Sequence, residues 1–212
     1  TLEINNYESR SSASFIDISI RENYLFNSTI NGIEETDFIL LIGCNPRFEA
    51  TILNARIRKA YLSNTTKIIS LNDIGDLTYP YKSLDGKTQT IKDIIESKND
   101  VSNYILEAKK PMIIFGESFL NTKSANYLFY SFKEFLFKNK KLTKDWNPIN
   151  VLSSDAATVG NFDLDITNES NELIKKLNEN KFELVYLVGQ DNLSFIKKNE
   201  FVIYQGSHGD KG

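Results

Sequence analysis

An α/β fold, an open and mostly parallel sheet with helices on both faces, is the class this sequence predicts, and three observations predict it. Short apolar runs recur along the chain, each too short for a buried helix and each closing on or near a glycine, as strands covered on both faces do. Phe38–Ile42 (FILLI) ends at Gly43, Met112–Phe115 ends at Gly116, and Leu184–Val188 ends at Gly189. Segments of helical periodicity alternate with these runs, which is the pattern of parallel strands joined by crossover helices. The third observation is the turn after the first of these runs. Gly43 permits a sharp bend, Asn45 stands at an N-cap and Pro46 at the first helical position, with Glu49 near the positive end of the helix dipole.

Taken in order, the first thirty residues are polar, with Phe15, Ile16, Ile18 and Ile20 offering a short strand. Thr29 to Glu35 reads as one short helix that delivers the chain into Phe38–Ile42. The helix after Pro46 places Ile52, Leu53, Ile57, Ala60 and Tyr61 on one face toward the sheet. Lys67 to Leu71 is the next strand, and Asn72 to Lys87 a loop by its Asp, Gly, Pro and Ser content. Thr90 to Glu96 and Val101 to Ala108 are two amphipathic helices, followed by the strand at Met112. Lys123 to Lys140 is a helix with Leu128, Phe132, Phe135 and Leu136 inward. A brief strand at Asn150 to Leu152 precedes a loop through Asp155 to Asp165. Glu169 to Asn178 is helical, and Leu184–Val188 and Phe201–Tyr204 are the last strands. No linker or repeat interrupts the 212 residues, so one α/β domain spanning 1–212 is expected.

Composition narrows the function classes. Hydrophobic residues make up 41% and charged residues 25%, and the net charge is −3. That balance gives no basic footprint for nucleic acid. No apolar run approaches the roughly 20 residues of a membrane-spanning helix. One cysteine, Cys44, and one histidine, His208, cannot by themselves complete a four-ligand zinc site or hold an iron–sulfur cluster. Abundant Asn, Ile, Lys, Phe and Tyr with scarce Arg is the bias an AT-rich gene encodes. Thr1 is expected to be a processing point or the edge of a fragment, since no leader-like segment stands there.

A turn of the form GxNP after a buried strand resembles the one that molybdopterin-dependent oxidoreductases set near a pterin–guanine dinucleotide. The longer string LLIGCNPRFEATILNARIRKAYL is more specific and resembles the seventy-five-kilodalton iron–sulfur subunits of respiratory complex I. NYLFNSTINGIEETD, DLTYPY at Asp76 to Tyr81, EAKKPMIIFGES at Glu107 to Ser118 and VIYQGSHGDKG at Val202 to Gly212 fall in the same order. The resemblance implies a Rossmann-like sheet, incomplete relative to the family's domain. It also implies a non-catalytic, structural place in the matrix arm of a mitochondrial inner-membrane complex that carries electrons from NADH to ubiquinone. The iron–sulfur clusters would lie in the rest of the subunit, because the family keeps their cysteines in an N-terminal region this sequence does not match. The partners would be other complex I subunits. They would include chains that carry the missing parts of this subunit and complete a truncated sheet. The rival readings are a fragment of a molybdopterin-dependent oxidoreductase binding a pterin dinucleotide, and a free-standing nucleotide-binding module.

Candidate site residues follow from the same stretch. Free N–H groups at Gly43, Asn45 and Pro46 would suit a phosphate, but the resemblance implies that the pterin is gone and the turn is vestigial. Leu187 to Asn192 (LVGQDN) sits at an equivalent turn, where Asp191 would repel phosphate. Arg47, Arg56, Arg58 and Lys59 form the densest positive cluster, and with Glu49 they are expected in structural or interface salt bridges. Arg56 and Lys59 share a face while Arg58 points elsewhere. Cys44, at a helix start, reads as packing rather than a nucleophile. Ser207, His208 and Asp210 imitate a triad in composition, but such close neighbours rarely converge as one.

Overall fold

The computed structural model describes residues 4–9, 17–64, 66–166, 172–190 and 199–207. It forms two compact units, Ser14–Val159 and Thr1–Ala13 with Gly160–Gly212. The larger carries a five-stranded parallel sheet made of β1 (Phe38–Ile42), β2 (Lys67–Ser70), β3 (Lys82–Ser83), β4 (Pro111–Gly116) and β5 (Ile149–Leu152), in the order β3-β2-β1-β4-β5. The two runs most apolar in sequence take the centre. Every residue of β1 and β4 is buried, in a register that pairs Leu40 with Ile113 and Ile42 with Phe115.

Side chains alternate between the faces with a period of two. Phe38, Leu40, Ile42, Ile113 and Phe115 face α3 (Thr88–Ile95), α4 (Asp100–Glu107) and α6 (Ala125–Lys138). Ile39, Leu41, Met112 and Ile114 face α2 (Thr51–Asn64), through Leu53, Ile57 and Ala60. The chain therefore leaves β1 over one face and β4 over the other. The carboxyl ends of β1 and β4 are the topological switch point, where open α/β sheets place their crevice.

Several elements depart from the sequence reading. The stretch after Pro46 is not one helix: α1 (Pro46–Glu49) ends where Ala50 turns to φ −152°, ψ 74°, and α2 then begins. Ile52 points to solvent, 74% exposed, while its neighbour Leu53 is buried. The 29–35 helix is a 3₁₀ turn at Asn31–Glu35, the 72–87 loop holds β3, and a four-residue α5 (Glu117–Leu120) follows Gly116. Of the proposed strand at 15–20, the described part from Asp17 is a turn, and Phe15 and Ile16 lie outside the described residues.

The outer edge of β5 is paired by residues from the other end of the unit. The Val151 N–H donates to the Leu25 carbonyl, and Phe26 bridges Asn150 in antiparallel sense. Fully buried Asn150 accepts the Ser28 N–H at 2.8 Å and donates to Ser28 Oγ at 3.0 Å and the Pro148 carbonyl at 3.0 Å. Replacing Asn150 with leucine is expected to cost about 1–3 kcal/mol, because the Ser28 N–H is left buried without an acceptor. Chemical denaturation measures it, and a leucine variant as stable as the parent would remove this role.

In the smaller unit β6 (Leu184–Val188) and β7 (Phe201–Gln205) pair in parallel with each other rather than with the five strands. They are preceded by α7 (Thr158–Asp163), which straddles the boundary, and α8 (Glu172–Asn178). Only Val185 of β6 is buried, so these strands lack the two-sided burial of β1 and β4. Among the described residues no helix is long and apolar enough to cross a membrane.

Candidate functional site at the sheet switch point

The turn Gly43–Pro46 sits at the carboxyl end of β1, beside the turn Gly116–Glu117 at the end of β4. Gly43 has φ +64°, and a Cβ there would lie 2.5 Å from both the backbone N and the Cβ of Phe119. A Cβ on Gly116 would lie 2.3 Å from the Gly43 carbonyl oxygen and 2.4 Å from the Cys44 Cβ. The two turns thus press backbone to backbone across the switch point, and the first turn of α5 sits on Gly43.

The N–H groups that could meet an anion are used within the turn. Asn45 caps α1 as its sequence position suggests: its Oδ1 accepts the Arg47 N–H at 3.1 Å, with Pro46 first in the helix. The Asn45 N–H itself donates to Glu49 Oε1 at 2.7 Å, so a carboxylate of the chain holds the place a phosphate oxygen would take. At the neighbouring turn, Glu117 Oε1 accepts from Ser153 Oγ at 3.0 Å and the Ser154 N–H at 2.9 Å. Two carboxylates at one mouth oppose a third anion.

The 73–81 segment closes over the same turn. Asn45 Nδ2 donates to the Ile74 carbonyl at 2.9 Å, and Arg47 pairs with the Asp76 carboxylate at 2.6 Å. Deeper, Asn54 of α2 donates to the Leu77 carbonyl at 3.1 Å and accepts the Tyr79 hydroxyl at 2.7 Å. Burial pushes the Tyr79 phenol up, and it stays neutral. The Thr78 N–H, then Arg47, holds the Asp76 carboxyl below the usual range, and the Gly75 N–H, then Tyr81, does so for Asp73. Removing the clamp with Arg47→Ala is expected to leave the core melting transition nearly unchanged. Amide hydrogen exchange at Gly75 and Thr78 should speed up several-fold, as for a local opening; unchanged exchange there would show that Arg47 does not hold the segment.

Arg56 donates to Glu34 Oε1 at 2.6 Å and Lys59 to Oε2 at 2.7 Å, so one carboxylate joins α2 to the 3₁₀ turn before β1. Those bonds, first from Lys59 and then from Arg56, hold the Glu34 carboxyl below its ordinary value. The stability they contribute is therefore present above the ordinary glutamate pKa of about 4.3 and is lost as pH falls through the lowered value. The difference in melting temperature between the parent and Glu34→Gln is expected to vanish in that acid window and to be largest near neutrality. A difference independent of pH would refute the pairing.

Arg58 is exposed and forms no ion pair among the described residues. Cys44 is buried with Sγ 3.7 Å from the Ile114 carbonyl, and burial, then Glu49, pushes its thiol up. It is a packed thiol rather than a nucleophile. Ser207 is described, but His208 and Asp210 lie outside the described residues, as do Asp191 and Asn192 of the second turn. No group of three or more His, Cys, Asp or Glu arranged to hold a metal ion occurs among the described residues. Sequence reasoning missed Asn54, Asp76, Glu117 and Phe119. Only the DLTYPY string pointed at their neighbourhood.

The profile of the family described as molybdopterin oxidoreductase matches residues 2–212. The chain belongs to this family. It is 38% identical over 199 residues to the "NADH-ubiquinone oxidoreductase 78 kDa subunit, mitochondrial" of Neurospora crassa, covering 92% of this chain and 26% of that protein. Over 195 residues it is 34% identical to the "NADH dehydrogenase [ubiquinone] iron-sulfur protein 1, mitochondrial" of Solanum tuberosum, covering 91% and 26%. Over 196 residues it is 36% identical to the "NADH-ubiquinone oxidoreductase 75 kDa subunit" of Reclinomonas americana, covering 91% and 28%. The chain spans about a quarter of the length of these relatives. The pterin dinucleotide that the family name implies does not fit this turn, whose N–H groups and mouth are filled by Glu49, Asn45, Phe119 and the 73–81 segment.

Proposed function

We propose that this chain is a structural, non-catalytic segment of mitochondrial respiratory complex I, on the matrix side of the inner membrane, within the arm that carries electrons from NADH to ubiquinone. The observation that carries the non-catalytic part is the Asn45 N–H bonded to the Glu49 carboxylate at 2.7 Å, where a cofactor phosphate would have to bind. The relatives named for NADH–ubiquinone oxidoreductase support the assignment to the complex. In this reading residues 1–212 belong to one α/β domain and contain no iron–sulfur domain. The iron–sulfur clusters are held by the rest of the subunit, since four-cysteine ligation cannot come from a chain with one cysteine. Its partners are other complex I subunits, including polypeptides that carry the remainder of the same subunit, and its membrane association comes through them. Gly43, Asn45 and Pro46 are a vestigial turn, and Arg47, Glu49, Arg56 and Arg58 serve structure and interfaces.

The test is native electrophoresis of detergent-solubilised membranes from cells carrying the tagged chain. The chain is expected in the same large band as NADH-oxidising activity, with iron present and molybdenum and pterin absent from the purified assembly. Migration away from that activity, or stoichiometric molybdenum and pterin, would overturn the proposal, the second result in favour of a molybdopterin-dependent oxidoreductase. Within the assembly, Arg56→Ala is expected to lower the amount of complex formed while turnover per complex stays at the parental level. Full assembly with NADH oxidation lost would reassign Arg56 to a functional site.

A further inference from the structure

Helix α2 is apolar on two opposite sides. Leu53, Ile57 and Ala60 are buried against the sheet. On the far side Ile52, Ala55, Lys59 and Leu62 follow one another at spacings of three and four residues. Ile52 is 74% and Leu62 67% exposed, and Phe48, one turn earlier in α1, is 80% exposed. A helix with apolar stripes on both sides is normally buried on both. A stripe repeating every three and four residues is the seam into which another helix packs. The charge around the stripe is of one sign: Thr51–Asn64 contains Arg56, Arg58 and Lys59 and no Asp or Glu. Glu34 already neutralises Arg56 and Lys59, which leaves Arg58 exposed beside the stripe without an ion pair among the described residues.

We infer that the outer face of α2 docks an amphipathic helix of another polypeptide, with its apolar stripe on Phe48, Ile52, Ala55 and Leu62 and a carboxylate meeting Arg58. The inference rests on the reading of the chain as part of a multi-subunit assembly. It names the surface and the chemistry of the partner, an acidic amphipathic helix.

The test places a photo-crosslinking residue at Ile52 or Leu62 of the full chain in the assembled complex, with exposed Lys92 of α3 as the control site. Both α2 positions are expected to capture one peptide of another subunit at least tenfold above the control. That peptide should carry apolar residues at three- and four-residue spacing and an Asp or Glu within one turn. Arg58→Glu is expected to reduce this capture at least tenfold, and Glu→Lys or Asp→Lys at the captured acid to restore it. Thermal unfolding of the Arg58→Glu chain, measured in parallel, should match the parent and so separates lost docking from lost folding. Capture of lipid, of residues 160–212 of the same chain, of a second copy, of a basic or non-periodic peptide, or of nothing would each overturn the inference. Co-migration with NADH oxidation is read separately, so an isolated failure here leaves the assignment to the complex standing.

Discussion

Replacing Gly43 with valine is expected to lower the stability of the larger unit by at least about 2 kcal/mol, seen as a lower denaturation midpoint. Two costs combine at this position. A β-branched residue at φ +64° is strained by about 1–3 kcal/mol. Its Cβ also meets the Phe119 backbone nitrogen at 2.5 Å, an overlap that costs a further 1–3 kcal/mol or so unless α5 moves. Two other glycines separate these costs. Gly75 has φ +76° with nothing within 4 Å of an added Cβ, so Gly75→Ala tests strain alone. Gly116 has φ −99° but would meet the Gly43 carbonyl at 2.3 Å, so Gly116→Ala tests overlap alone. If Gly43→Val were as stable as the parent, the close contact of the two turns would be wrong.

Phe115→Ala is expected to cost more, about 3–5 kcal/mol. Phe115 has no exposure at all and its ring meets those of Phe119, Phe129 and Phe132 at centroid distances of 5.4, 5.1 and 5.8 Å. Three elements lean on it, since it stands on β4 and touches both α5 and α6. The cavity cannot collapse without moving the strand that pairs with β1, so the cost should lie in the upper part of that range. Phe115→Leu, which keeps most of the volume, should lose clearly less. Equal losses for the two variants would show that ring packing is not what holds this layer.

The parts of the fold legible in the sequence are those decided locally. Phe38–Ile42 and Met112–Phe115 are unbroken apolar runs because both of their faces are covered, and Asn45–Pro46 caps a helix through its own side chain. The inward set Leu128, Phe132, Phe135 and Leu136 follows from helical spacing alone and is buried. What was not legible depends on distant partners. Ile52 shares the helical spacing of Leu53 and Ile57, and only the position of the sheet decides which apolar side of α2 is inside. The pairing of β6 with β7, the two-residue β3 and the break at Ala50 carry no local signature of comparable strength. At the candidate site the sequence pointed to the turn and to its arginines. The acids that meet them, Asp76 and Glu34, lie 29 and 22 residues away from Arg47 and Arg56, and no spacing rule reaches that far.

The seal on β5 sets a timing problem for the ribosome. Ser28 is made first and Asn150, which holds its N–H, is made 122 residues later. At about 5–20 residues per second of synthesis, the segment around Ser28 waits roughly 6–25 s for its strand to exist. Through that interval β1 and β2 can already pair, while Leu25 and Phe26 have nothing to bind. The closing step of the sheet is therefore post-synthetic for this edge, and it is the step a chaperone holding the nascent chain would have most time to influence.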